Sequence, residues 1–166
     1  MKYLETFTQG NHSSGRFINP IGVVLHHNYL LKDDLIKQMT ESKPTISTGE
    51  TINGASYHCV GWKDGTRTVF AKDNQRAWHA GASEFNGRKH CNNFMLGYSF
   101  HINSNREPLT AAQIESFIEW LIPRIEAWGI KKSDITDHRN VAPGRKVDLN
   151  PVEFKRILTA IDKLWL

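Results

Sequence analysis

Ile21-Gly22-Val23-Val24-Leu25-His26-His27 is the stretch from which the fold can be read. Its hydrophobicity is continuous rather than alternating, and Val23 and Val24 are adjacent β-branched residues. That pattern suits a strand buried on both faces, as in sheets covered by helices on either side. The paired histidines follow at its end, where open α/β sheets place their chemistry.

Working outward, residues 30–41 carry Leu31, Leu35 and Met39 at four-residue spacing with charges between, which predicts a helix. Residues 42–54 are rich in Ser, Thr, Gly and Pro and read as a long loop of the kind that walls a binding site. Residues 55–62 and 66–70 flank Lys63-Asp64-Gly65, a hairpin signal. Residues 95–102 return to strand character. Thr110-Ala111-Ala112-Gln113 forms a capping box ahead of an apolar stripe through Ile114, Phe117, Leu121, Ile125 and Trp128, closed by Gly129. Pro123 lies inside that helix and is expected to bend it. Asn150-Pro151-Val152-Glu153 starts a final helix over residues 151–163. Residues 1–20 are polar and read as an irregular N-terminal arm. The sum is a single α/β domain over residues 1–166, a central mixed β-sheet flanked by helices.

Composition narrows the partners. No run approaches the roughly eighteen apolar residues of a membrane span. The N-terminus lacks an apolar h-region, so cytoplasmic synthesis without a signal peptide is expected. A net charge of +4 favours anionic partners, but the basic residues fall in short pairs such as Arg145-Lys146, which speaks against nucleic acid. An anionic polymer such as bacterial cell wall fits that charge. Cys59 and Cys91 are far apart and read as buried free thiols.

The chemistry sits in Asp137-His138-Arg139-Asn140-Val141-Ala142-Pro143-Gly144-Arg145-Lys146-Val147-Asp148. Ala-Pro-Gly forbids a continuous helix, so the segment turns back and can bring His138 and Asp148 together. Catalytic zinc needs a third protein ligand and an open position for water. His26 or His27 is the candidate, and the pattern points to a zinc hydrolase.

Leu25-His26-His27, Ser56-Tyr57-His58 with Lys63-Asp64-Gly65, Arg76-Ala77-Trp78-His79-Ala80-Gly81, residues 92–100 and residues 137–148 occur in this order. Together they resemble the zinc N-acetylmuramoyl-L-alanine amidases of the type-2 amidase family. Phage lysis amidases, peptidoglycan-recognition proteins and the cytosolic amidase that recycles anhydromuropeptides belong to it. The resemblance runs from about residue 20 to the C-terminus, and His-x5-Gly-Arg-Lys-x-Asp and Trp-His-Ala-Gly are its most specific parts. It implies that fold, with zinc at the sheet's edge held by His26, His138 and Asp148, and His27 in a supporting role. It makes Lys146 the stabiliser of the oxyanion and Tyr57 a catalytic hydrogen-bond donor. Trp78, His79, Arg88 and Asn92 are expected to line the substrate groove, an aromatic face for a sugar or stem and Arg88 for a carboxylate. His58 should face away from the site.

The branches pull in two directions. Asp148 and the block from Arg76 to Phe94 match the recycling branch, whereas Tyr57 and Ser99 match the phage branch. Ser99 stands where the recycling branch has a glutamate proposed as general base. The expectation is a monomeric phage-type lysis enzyme acting on peptidoglycan at the cell wall. The alternatives are a recycling amidase acting on soluble muropeptides and a non-catalytic peptidoglycan-binding module.

Overall fold

The computed structural model describes residues 1–165. In chain order the elements are β1 (Glu5–Phe7), β2 (Gly22–Asn28), α1 (Lys32–Thr40), β3 (Cys59–Gly61), β4 (Arg67–Val69), β5 (Glu84–Phe85), β6 (Arg88–Lys89), β7 (Met95–His101), α2 (Ala111–Trp128), β8 (Ile135–Asp137), α3 (His138–Val141) and α4 (Pro151–Ile161). Six strands form a mixed sheet in the order β1-β4-β3-β7-β2-β8, and β5 and β6 pair separately. Only β3 and β4 run antiparallel within the large sheet, joined by the Asp-Gly turn, where Gly65 adopts φ +88°. The mixed sheet flanked by helices is the architecture the sequence predicts.

β2 lies between β7 and β8, and Val23, Val24 and Leu25 are fully buried. Alternation then sorts its side chains. Val23 and Leu25 join Leu96, Tyr98, Phe100, Phe117, Trp120, Ile157 and Ile161 in the main core, under α2 and α4. Val24 packs on the opposite face with Ala80, Cys91, Phe94, Met95 and Val141. His26, two residues on, shares that second face, which carries α1 and the long loops.

α2 begins as its sequence dictates. Thr110 Oγ1 accepts from the Gln113 N–H at 3.0 Å, and the Gln113 side chain accepts from the Thr110 N–H at 3.1 Å. Gly129 closes it at φ +67°. The helix continues through Pro123, which sits on its exposed side. α4 starts at its expected proline, with Asn150 Oδ1 accepting from the Val152 N–H, and ends two residues early in a tighter turn.

Two expectations are corrected. The N-terminal arm is not wholly irregular, because residues 5–7 form the edge strand β1 alongside β4. Every residue of β1 is exposed, so no apolar alternation announces it. A buried Arg67 holds it in place, donating to Glu5 at 2.8 Å and to the Ser116 carbonyl at 3.1 Å. The expected strand over residues 55–62 shrinks to β3. Ser56 and His58 donate their N–H groups to the Trp78 and Gly97 carbonyls instead, and the chain bends at His58 before β3 begins.

Candidate metal centre

Three segments converge at the C-terminal ends of β2 and β8. Leu25 pairs in register with Asp137, so β8 delivers His138 beside His26. Asp137 Oδ1 caps the single turn of α3 by accepting from the Asn140 N–H at 2.8 Å. The chain then reverses through Gly144 at φ +76°, and the Arg139 N–H reaches the Asp148 carbonyl at 2.6 Å. His27 contributes from its backbone, its N–H donating to Asp148 Oδ2 at 3.2 Å. The Pro-Gly turn thus does what its sequence requires, folding the carboxylate back onto the imidazole.

His26 Nδ1 lies 3.1 Å from His138 Nδ1 and 3.7 Å from Asp148 Oδ2, and His138 Nδ1 is 3.3 Å from Asp148 Oδ1. All three residues are buried, and their donor atoms fall within 4.8 Å of one another. The outer ring nitrogens have partners of known polarity. His138 Nε2 faces the Ala80 carbonyl at 3.2 Å, and His79 Nε2 faces the Met95 carbonyl at 3.0 Å. A carbonyl only accepts, so both nitrogens carry hydrogen. Burial holds His79 well below its usual range and therefore neutral, which leaves its Nδ1 as the acceptor for His26 Nε2–H at 3.0 Å. Burial, reinforced by His138, brings His26 down to about 4, so it too is neutral.

The consequence is a cluster of bare acceptors. With His138 Nε2–H bonded to Ala80, the Nδ1 atoms of both rings and the Asp148 carboxylate point at one spot. Burial raises the Asp148 carboxyl, while a hydrogen bond or positive charge supplied from the His138 and His26 side lowers it well below its usual range, so the carboxylate is set to hold a positive partner at this spot. Three acceptors gathered in a dry place repel unless a cation lies among them. Donors about 2.0–2.1 Å from a tetrahedral zinc stand about 3.3 Å from one another, close to the separations here. The residues therefore fit zinc.

A cavity of ≈ 560 Å³ opens beside the cluster, lined among others by His27, Tyr57, His79, Lys146 and Asp148. Tyr57 is 8% exposed, its ring 5.0 Å from that of His26. Burial pushes its phenol up to about 12. Its oxygen accepts from Asn28 Nδ2 at 3.4 Å, and Asn28 is fixed in turn by Gln38 Oε1 and the Leu30 N–H. Lys146, an exposed residue, also lines the cavity, and among the described residues no carboxylate pairs with it.

Of the four residues expected to line the groove, only His79 contributes to this cavity's wall. His79 and Asn92 are each 6% exposed. Asn92 Oδ1 accepts from the His79 and Ala80 N–H groups at 3.1 and 2.9 Å, and both ring nitrogens of His79 are already engaged. Trp78 is partly exposed beneath the Arg76 guanidinium, and Arg88 lies over the Phe94 ring. His58 is buried away from the cluster, accepting from the Gly97 N–H and donating to the Gln75 carbonyl. Ser99 pairs in register with His26 and is fully buried.

Some contributors were not visible as site residues in the sequence. Asn28 and Gln38 orient Tyr57, and the Arg145 guanidinium ties the Lys146 loop to the Ala80 and Ala82 carbonyls at 2.7 and 2.8 Å. No motif marks Asn28 or Gln38. Arg145 was available in Gly-Arg-Lys, but its target is backbone.

Comparison with known proteins follows from this geometry. The profile of the family described as N-acetylmuramoyl-L-alanine amidase matches residues 17–151. The 1,6-anhydro-N-acetylmuramyl-L-alanine amidase AmpD of Haemophilus influenzae is 38% identical over 108 residues, covering 64% of this chain and 58% of that protein. The chain thus matches little more than half the length of the curated relatives. A selenomethionine AmpD structure superposes with a TM-score of 0.74 at 22% identity, covering 95% of each chain. The amidase AmiD from E. coli, in complex with anhydro-N-acetylmuramic acid-L-Ala-D-gamma-Glu-L-Lys, gives 0.69 at 19% identity, covering 90% of this chain and 60% of that one. At these identities the superpositions establish the shared fold.

Proposed function

The chain belongs to the N-acetylmuramoyl-L-alanine amidase family, and from that premise we propose that it is a zinc hydrolase cleaving the amide between the lactyl group of N-acetylmuramic acid and L-alanine. The observation that carries the reading is the convergence of His26 Nδ1, His138 Nδ1 and the Asp148 carboxylate at the edge of a cavity. Those three residues would hold the metal. When bound, zinc supplies Lewis acidity toward the amide carbonyl and lowers the pKa of water from near 16 to about 7.

The chain's own groups complete the site. Tyr57, with its phenol near 12, stays protonated at neutral pH and acts as a donor rather than a base. Because Asn28 donates to its oxygen, its proton is left free to point at the reacting carbonyl. Lys146, with no carboxylate partner among the described residues, directs its charge to the oxyanion that forms there. Burial of Tyr57 strengthens its contact with the carbonyl, while Lys146 acts from an exposed part of the wall.

The substrate we assign is a soluble anhydromuropeptide. The curated relatives bear that name, Asp148 matches the same branch, and a cavity of this size suits a small ligand. This reading takes the place of the lysis role expected from Tyr57 and Ser99. Parallel digestion of soluble anhydromuropeptide and intact sacculi tests it. Faster release of stem peptide from the soluble substrate is expected. Preferential digestion of sacculi would return the protein to the lysis reading.

A further inference from the structure

His79 and Ala80 are consecutive, and between them they receive the outer hydrogen of both imidazoles. The His79 ring accepts from His26 Nε2–H at 3.0 Å, and the Ala80 carbonyl accepts from His138 Nε2–H at 3.2 Å. We propose that this dipeptide is a bracket that fixes the metal-binding tautomer of both histidines, with His79 as a positioning residue for His26. The inference rests on the zinc reading of the preceding subsection.

A neutral imidazole ligates through one nitrogen only, and which one is free depends on where the other's hydrogen is bonded. At His26 the decision passes through one more ring. His79 could accept or donate at Nδ1, but its Nε2 faces the Met95 carbonyl at 3.0 Å and must donate, so Nδ1 must accept. Met95 is the first residue of β7, so the polarity of the sheet backbone is carried through His79 to His26.

The surroundings hold the bracket rigid. Asn92 Oδ1 accepts the N–H groups of both bracket residues. Arg145 Nη2 shares the Ala80 carbonyl with His138, at 2.7 Å. Gly97 makes room for the ring, because a Cβ there would stand 2.5 Å from His79 Cγ. Burial, two directed hydrogen bonds and a backing glycine leave the ring no other orientation. The bracket also accounts for the polar burial of Asn92, which the cavity does not use.

Replacing His79 by Gln and by Phe separates this role from simple packing. A glutamine carbonyl can still accept from His26, whereas phenylalanine keeps the bulk and loses the acceptor. Zinc affinity is read by competition with a chromophoric chelator, and the tautomer of His26 by nitrogen NMR of the metal-free protein near neutral pH. His79→Gln should bind zinc nearly as the parent does, and His79→Phe about 10–100-fold more weakly, the usual effect of losing such a partner. The parent should show hydrogen on His26 Nε2, and His79→Phe a mixture. Equal zinc affinity in parent and His79→Phe, or equal weakening in both variants, would overturn the bracket. So would hydrogen on Nδ1 of His26 in the parent, a result that needs no variant to fold. A parent that binds no zinc would remove the metal reading itself, a result distinct from these.

Discussion

Adding one methyl group at Gly97 should damage both the fold and the metal site, and its size can be worked from the structure. An alanine Cβ there would lie 2.5, 2.8 and 2.9 Å from Cγ, Nδ1 and Cδ2 of His79. Ordinary contact begins near 3.4 Å, so the ring must move by about 1 Å, within a core that resists such shifts. The methyl would sit over the ring face, so the push runs across the ring plane and bends its in-plane hydrogen bonds to Met95 and His26, each 3.0 Å, out of line. Overpacking costs about 1–3 kcal/mol. Misaligning two buried hydrogen bonds adds up to about 1–3 kcal/mol. Gly97→Ala should therefore lose about 2–6 kcal/mol, a fall of about 1–3 M in urea midpoint. Zinc should bind about 10–100-fold more weakly as His26 loses its anchor. Gly61→Ala is the control, because its methyl would press on the Tyr98 hydroxyl, which lies in the core under α2. That variant should lose stability but keep the parent's zinc affinity. If Gly97→Ala kept both its midpoint and its zinc affinity, the argument from the His79 ring would be wrong.

Other expectations follow from the same geometry. Asp148→Ala should lose zinc and amidase activity together, and stoichiometric zinc in the purified variant would remove Asp148 from the ligand set. Lys146→Ala should keep its zinc while turnover falls about 10²–10³-fold, as for loss of an oxyanion donor; a rate within a few-fold of the parent would refute that role. His58 provides a test by pH, because burial brings it down to about 4 from an ordinary 6.5. Between those values the unfolded chain takes up a proton that the fold refuses, so stability rises with pH across the window. The contribution, about 3 kcal/mol, is complete above 6.5 and gone near 4. In metal-free protein, His58→Gln should reduce the slope of stability against pH there by about 1.4 kcal/mol per pH unit, and an unchanged slope would contradict the assignment.

The sequence was most legible where local chemistry and burial agree. β2 announces itself because it is apolar on both faces, and α2 because its cap, stripe and terminal glycine coincide. The Pro-Gly turn that returns Asp148 to His138 was readable for the same reason. β1 was not, because its exposed side chains show no apolar pattern and what holds it, the β4 backbone and the ion pair of Glu5 to Arg67, lies 62 residues away. The limits of Tyr57's strand were hidden because Ser56 and His58 send their backbone hydrogen bonds to Trp78 and Gly97. His79, which does reach the cavity wall, and Asn92 were read as groove residues from their motif, which does not show what else they bind. Their partners include backbone groups, those of Met95, His79 and Ala80, and no side-chain pattern reports a carbonyl. Asn28 and Gln38 stayed silent because the bonds of Asn28 to Tyr57 and to Gln38 exist only once α1 has packed into place beside Tyr57.

The most direct test of the account is to incubate the protein with soluble anhydromuropeptide, with and without chelator, and identify the products by mass spectrometry. Stem peptide with a free L-alanine amine is expected, lost on chelation and restored by zinc. Intact muropeptide after incubation with protein carrying stoichiometric zinc would contradict the assignment of an amidase.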